Sequence, residues 1–331
     1  MPIAGREIEK ALHRLSLPPD WLFVGCGSSY YIALSAAASF TFLTGRRARA
    51  LPASELLLFP DLVLAGMPAC QPVLISRSGR TSEALAAAKY LEEKNIPTLA
   101  ISCAPGQPLE KLSSATICLP PADEKSTVMT RSFTSMLVGL QVLAARVANR
   151  ATFINALEKL PAGAQNALDE LAPRLRAFVE SHHFSDYVYL GQGPFYGLAC
   201  EAALKVEEMS CSYAQAFHTL EFRHGPKSIV SPEVLVGFLL SESGREAEEK
   251  VLEEVKSLGG TTLVVTRQAS KRVRESADFL VELQLEVEEY AGLAAHLLVA
   301  QLLGLYTGLK KGQDPDQPRH LSRVVLIQEG S

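Results

Sequence analysis

The chain repeats itself. Val188-Tyr189-Leu190-Gly191-Gln192-Gly193 lies under Leu22-Phe23-Val24-Gly25-Cys26-Gly27 at an offset of 166, and the segments that follow share Tyr30 with Tyr196 and Ala33 with Ala199. At an offset of 165, Leu239-Leu240-Ser241-Glu242-Ser243-Gly244-Arg245 falls under Leu74-Ile75-Ser76-Arg77-Ser78-Gly79-Arg80. Two landmarks at nearly one spacing indicate a duplicated domain, so one order of elements must serve both halves.

The first half alternates in type. Trp21–Val24, Arg47–Leu51, Pro72–Ile75, Pro97–Ser102 and Ala115–Leu119 read as strands; Ser28–Leu43, Ala53–Phe59 and Thr81–Glu93 read as helices. Strands separated by helices pair in parallel through crossovers, which predicts a three-layer α/β/α sandwich. Helical spans at 127–146 and 162–181 lead onward, and Pro161-Ala162-Gly163 marks the expected boundary between domains at 1–160 and 161–331. With 331 residues, 47% of them hydrophobic and 21% charged, the chain can build two ordinary cores.

Ligands of such sheets bind beyond the carboxyl ends of the strands. Gly25–Ser29 and Ser76–Thr81 both sit there. The second joins a strand to a helix N-terminus through Ser76, Ser78 and Thr81, and so combines hydroxyls, unpaired amides and the helix dipole into a cradle suited to a phosphate monoester. A serine-rich cap that binds nothing is the competing reading. The equivalent loop of the second copy carries Glu242 for Arg77, Glu246 for Thr81 and Ala247 for Ser82. Acidic groups repel phosphate, so the first copy is expected to bind and the second to support.

The segment from Ala199 to Pro226 offers chemistry of another kind. Leu198, Ala202, Val206 and Met209 form an apolar stripe at helical spacing and leave Glu201, Lys205 and Glu208 together on the other face. That trio is either a surface salt-bridge ladder or a catalytic group. His224, before Gly225-Pro226, is either a loop hydrogen-bonder or a catalyst.

Composition removes other classes. A net charge of -4 with dispersed basic residues gives no reason to expect nucleic acid or an anionic membrane. The six cysteines include no C-x-x-C pair, which fits reduced thiols in the cytoplasm and implies no metal. The start lacks an apolar signal core, and no apolar run is expected to reach the eighteen or so residues of a membrane span.

These motifs together resemble a known family. Cys26-Gly27-Ser28-Ser29, Ser76-Arg77-Ser78-Gly79-Arg80-Thr81, Thr130-Arg131-Ser132-Phe133-Thr134, Glu201 to Glu208, Glu221-Phe222-Arg223-His224-Gly225-Pro226 and Asp316 to Leu321 are similar, in order, to the double sugar-isomerase-domain (SIS) proteins. The isomerase half of glucosamine-6-phosphate synthase and stand-alone glucosamine-6-phosphate deaminases and fructosamine-6-phosphate deglycases fit best. The resemblance implies two flavodoxin-like domains acting on a hexosamine or hexose 6-phosphate without metal or organic cofactor. It implies that Ser29, Ser76, Ser78 and Thr81 hold the sugar and its phosphate, with Arg77, Thr127, Arg319, Ser322 and Arg323 completing the binding set. It further implies that Glu208 moves a proton between C1 and C2, that Lys205 is its neighbouring cation, and that His224 opens the sugar ring from the other subunit of a homodimer.

The departures are informative. No glutaminase domain is expected ahead of residue 1, Arg77 and Met129 replace an amide and a hydroxyl, and Arg323 stands where the synthases carry an imine-forming lysine. A guanidinium stays protonated and does not form that imine. These changes point to the stand-alone branch. A regulator that binds a sugar phosphate without turnover is the alternative, though such a protein needs neither Glu208 nor His224. A dinucleotide site is disfavoured because Gly25-Cys26-Gly27-Ser28-Ser29 lacks a third glycine.

Overall fold

The computed structural model describes residues 2–67 and 69–326. It forms two compact units, one running to Ile154 and joined again by the tail from Ser322, the other Asn155–Leu321.

In the first unit, α1 (Pro2–Leu12) precedes β1 (Asp20–Gly25), α2 (Ser28–Thr44), β2 (Arg47–Pro52), α3 (Ala53–Leu58), α4 (Pro60–Leu64), β3 (Cys70–Ile75), α5 (Ser82–Glu93), β4 (Leu99–Ser102), α6 (Pro108–Leu112), β5 (Ala115–Cys118) and α7 (Arg131–Val147). The strands pair in parallel in the order β2-β1-β3-β4-β5. Every residue of β1 is buried because both faces of the sheet are covered. Leu22 and Val24 pack with Leu56 of α3 and Ala87, Ala88 and Leu91 of α5. Trp21 and Phe23 point the other way onto Phe40 of α2, with ring centroids 4.3 and 5.6 Å away.

Helix α8 (Ala151–Ser181) carries the chain into the second unit. There β6 (Asp186–Gly191), α9 (Pro194–Ser210), β7 (Tyr213–His218), β8 (Val234–Leu239), α10 (Arg245–Ser257), β9 (Thr261–Thr266), α11 (Lys271–Ser276), β10 (Phe279–Glu282), α12 (Leu293–His296) and α13 (Leu298–Lys310) follow. The parallel sheet runs β10-β9-β8-β6-β7, the first unit's order repeated strand for strand. Val188, Leu190, Val236, Phe238 and Val264 pack on Val251, Leu252 and Val255 of α10. This is the tandem three-layer architecture that the repeat predicts.

Two expectations change. Pro161 and Gly163 do not interrupt the chain but lie inside α8, which spans 31 residues; the boundary falls earlier, and the tail returns to the first unit. A proline forfeits only one N–H, and the remaining bonds of a long helix carry it through. The stretch Glu289–Lys310 is long and apolar enough to meet the length and composition of a membrane span, contrary to expectation, but 67% of its 18-residue apolar window is buried inside the structure. It is apolar because it packs on α9. A Cβ on Gly304 would lie 2.7 Å from Lys205 O, and one on Gly308 would overlap Met209 O, so the two backbones touch where these glycines sit.

Candidate functional site

The loops after β1 and β3 follow neighbouring strands at the point where the sheet order reverses, the position at which open α/β sheets take ligands. Ser29 lies buried in the first turn of α2, its N–H bonded to Cys26 O at 3.1 Å. In the β3 loop, Ser76 Oγ lies 3.1 Å from Thr81 Oγ1 and accepts Gly79 N at 3.2 Å, while Ser78 Oγ accepts Arg80 N at 3.2 Å. The loop is thus folded around its own hydroxyls.

Arg77, expected in the binding set, makes structural bonds within the unit. Its guanidinium is buried and donates to Ser126 O at 3.2 Å, Thr127 O at 3.0 Å and Arg323 O at 3.1 Å. It therefore brackets the loop at 126–127 and the returning tail. Burial lowers the Arg77 pKa, and Glu124 and Asp123 oppose that shift. Arg323 pairs with Asp123 at 2.5 Å, Ser322 Oγ donates to Val324 O at 2.9 Å, and Ser82 N at the start of α5 donates to Val325 O at 3.2 Å. Ser76, Ser78, Thr81, Arg77, Thr127, Ser322 and Arg323 therefore form one connected neighbourhood of the first unit. Arg319 belongs to the second unit, where it is exposed and lines a cavity of about 310 Å³ with Cys211 and Gln317.

On α9, Glu201 and Lys205 are both 0% exposed, which a surface ladder does not allow. Lys205 Nζ lies 3.2 Å from Glu201 Oε1 and donates to Glu208 Oε2, and the Glu208 side chain keeps 18% exposure. Burial lowers the Lys205 pKa, but Glu201 and Glu208 overcome it and hold the ammonium above the ordinary lysine value. The arrangement is a buried cation with one carboxylate behind it and one reaching toward solvent. His224 is exposed, its N–H bonded to Glu221 O at 3.0 Å. The turn before it is fixed by buried Phe222 and by Arg223, which grips Glu254 with two bonds of 3.0 and 2.7 Å.

The SIS domain family matches residues 19–146 and, a second time, 186–305. The chain is a tandem SIS-domain protein. It is homologous to the isomerase half of glutamine–fructose-6-phosphate aminotransferase: the Xylella fastidiosa protein is 30% identical over 319 residues, covering 92% of this chain and 51% of that one. The chain thus spans about half the length of the curated aminotransferases it matches. A glucosamine-6-phosphate deaminase structure from Thermotoga maritima is 29% identical with a TM-score of 0.79, covering 98% of this chain and 97% of its own. A tagatose-6-phosphate ketose/aldose isomerase from Escherichia coli, 23% identical with a TM-score of 0.82 over 99% and 90% of the two chains, shares the fold.

Three carboxylates of the tandem SIS protein escape a reading by motif. Glu124 accepts Thr130 N at 3.0 Å, Thr130 Oγ1 at 2.7 Å, Arg131 N at 3.1 Å and both donors of Ser132, so the Thr130–Thr134 motif builds the capped start of α7. Burial pushes the Glu124 pKa up, but the Ser132 and Thr130 donors outweigh it and the net shift is downward. Glu248 and Glu289 close the β8 loop. The two acids that set this loop apart in the sequence are turned elsewhere: Glu242 pairs with Arg267 at 2.7 Å, and Glu246 pairs with Lys250 at 2.8 Å on the surface. No motif marks Glu248, because the repeat places a glutamate, Glu83, in both copies.

Proposed function

We propose that this tandem SIS protein is a phosphosugar isomerase of the deaminase type, converting glucosamine 6-phosphate and water into fructose 6-phosphate and ammonia. The observation that carries this reading is the fully buried Lys205 held between Glu201 and Glu208. A structural ion pair on a soluble helix has no need to bury an ammonium; one beside a half-open carboxylate supplies a general base with adjacent positive charge.

In this reading the Ser76–Thr81 loop and Ser29 hold the phosphate and the sugar. His224, offered from the partner subunit of a homodimer, moves the proton that opens the ring. Glu208 removes the C2 proton and returns it to C1, Lys205 balances the charge that develops on the oxygen, and the resulting C2 imine takes up water and expels ammonia. The imine nitrogen comes from the substrate, so no lysine is required where Arg323 stands, paired with Asp123. The end-to-end likeness to a 29% identical deaminase supports this choice over amidotransfer. The expected location is the cytoplasm, with no metal or organic cofactor and no nucleic-acid or membrane partner.

A panel of hexose and hexosamine 6-phosphates, followed both for ammonia release and for aldose–ketose conversion, tests the proposal. Ammonia from glucosamine 6-phosphate, lost in Glu208→Gln, is the expected result. Ketose formation from a neutral aldose phosphate without ammonia would instead make the protein a plain isomerase, and binding without turnover of any member would make it a sugar-phosphate sensor.

A further inference from the structure

The second unit's version of the phosphate loop is already full. Glu248, fully buried in the first turn of α10, accepts the Ser241 hydroxyl and, at 3.4 Å, Ser241 N. Its carboxylate presses so closely on the loop that a Cβ on Gly244 would overlap Glu248 Oε1. Glu289 supplies a second carboxylate, accepting Glu242 N and, at 3.3 Å, Ser243 Oγ.

Both acids have a counterpart 165 residues earlier, Glu83 and Glu124, yet among the described residues no hydrogen bond joins either counterpart to the first loop. Ser76 Oγ is engaged by Thr81 Oγ1, and Glu124 caps α7. In the second unit the residue at the place of Thr81 is Glu246, which turns out to Lys250 and leaves the Ser241 hydroxyl to Glu248. Identical residue types thus bond to the loop in the second unit, whereas among the described residues no hydrogen bond joins them to it in the first.

We propose that Glu248 and Glu289 occupy the place that a phosphate takes in the first unit, so that the second unit carries an oxyanion cradle latched shut by its own carboxylates. Removing both side chains uncovers a working phosphate site. The choice of ligand rests on the phosphate-binding reading of the first loop. The burial of the latch has an electrostatic counterpart: burial, and after the Ser241 bonds the field of Glu289, raise the Glu248 pKa to about 7, as crowding of two acids into one anion site requires. The polar groups facing it are Ser241 and Thr219, with Glu289 nearby.

The test counts bound inorganic phosphate by equilibrium dialysis for wild type, Glu248→Gln and the double variant Glu248→Ala/Glu289→Ala. The double variant should bind one phosphate per chain more than wild type, and its crystal structure in phosphate should place that ion against Ser241 and Gly244. Glu248→Gln, which keeps the shape of the latch, should bind no more than wild type. An extra phosphate in the Gln variant would overturn occupancy by showing that charge alone keeps phosphate out. No extra phosphate in a folded double variant would overturn the cradle. If the double variant is unstable, millimolar phosphate should raise its unfolding midpoint where chloride of equal ionic strength does not, and failure of that rescue also counts against the idea. Since only the difference from wild type is read, a wild-type count of zero would sink the phosphate reading of the first loop and leave this test intact.

Discussion

Lys205→Met removes the ammonium at the centre of the α9 group while nearly keeping its volume, and so separates a buried charge cluster from a surface ladder. In wild type, Glu201 sits at 0% exposure, 3.2 Å from Lys205 Nζ. Without the ammonium its carboxylate remains in the core with its counter-ion gone. Breaking a buried pair in this way costs about 3–5 kcal/mol, whereas a solvent-exposed pair contributes about 0–1 kcal/mol. For a cooperative unit of the second unit's size, each kcal/mol moves the midpoint by roughly 2–4 °C, so the variant should melt roughly 6–20 °C lower. Circular dichroism and urea titration measure it. Adding Glu201→Gln to Lys205→Met should recover most of the loss, because Glu208 keeps access to water. A loss under about 1 kcal/mol in the single variant, or no recovery in the double, would refute the reasoning.

Three further outcomes follow from the geometry. Glu208→Gln should lower turnover by roughly 10²–10⁴ while its circular dichroism spectrum stays that of wild type, as expected when a general base is removed; unchanged turnover would make Glu208 a structural charge. Gly308→Ala forces a methyl into Met209 O and should cost about 1–3 kcal/mol by overpacking, read as a lower urea midpoint, whereas Gly312→Ala tests only a positive φ of 69° with nothing near the added methyl. Glu248 has its folded pKa, about 7, above the ordinary carboxylate value of 4.5, so its contribution is fully present below pH 4.5 and disappears as pH rises through 7. That gap corresponds to about 3 kcal/mol, and Glu248→Gln should flatten the decline in stability across this window.

The repeat makes the architecture legible from the residues alone. Alternating apolar strands and helices at one offset leave little freedom, and the two sheets do share one strand order. Spacing also brought Glu201, Lys205 and Glu208 onto one face, but period alone does not distinguish a solvent-facing ladder from one covered by another helix. The cover is α13, whose glycines lie about a hundred residues further along the chain. The bonds of Arg77 are hidden for a related reason. A basic residue in a phosphate-type loop suggests a ligand contact, while the carbonyls it bonds, at 126, 127 and 323, are ones that no local pattern connects. Glu248 and Glu83 carry the same letter in both copies, so the closed loop has to be read from the neighbouring exchange of Thr81 for Glu246 and from the bond that Glu248 makes to Ser241.

The link from Arg77 to the carbonyl of Arg323 sets an order of assembly on the ribosome. All five strands of the first sheet are synthesised before any of the second unit, yet one donor of a buried guanidinium waits for a segment that is translated only after the whole second unit. At typical elongation rates the delay is on the order of ten seconds, long compared with the folding time of most domains. During that interval the nascent first unit holds its loop at 126–127 without the tail across it. A fusion or truncation that alters residues 322–326 therefore acts on the half of the protein that was synthesised first.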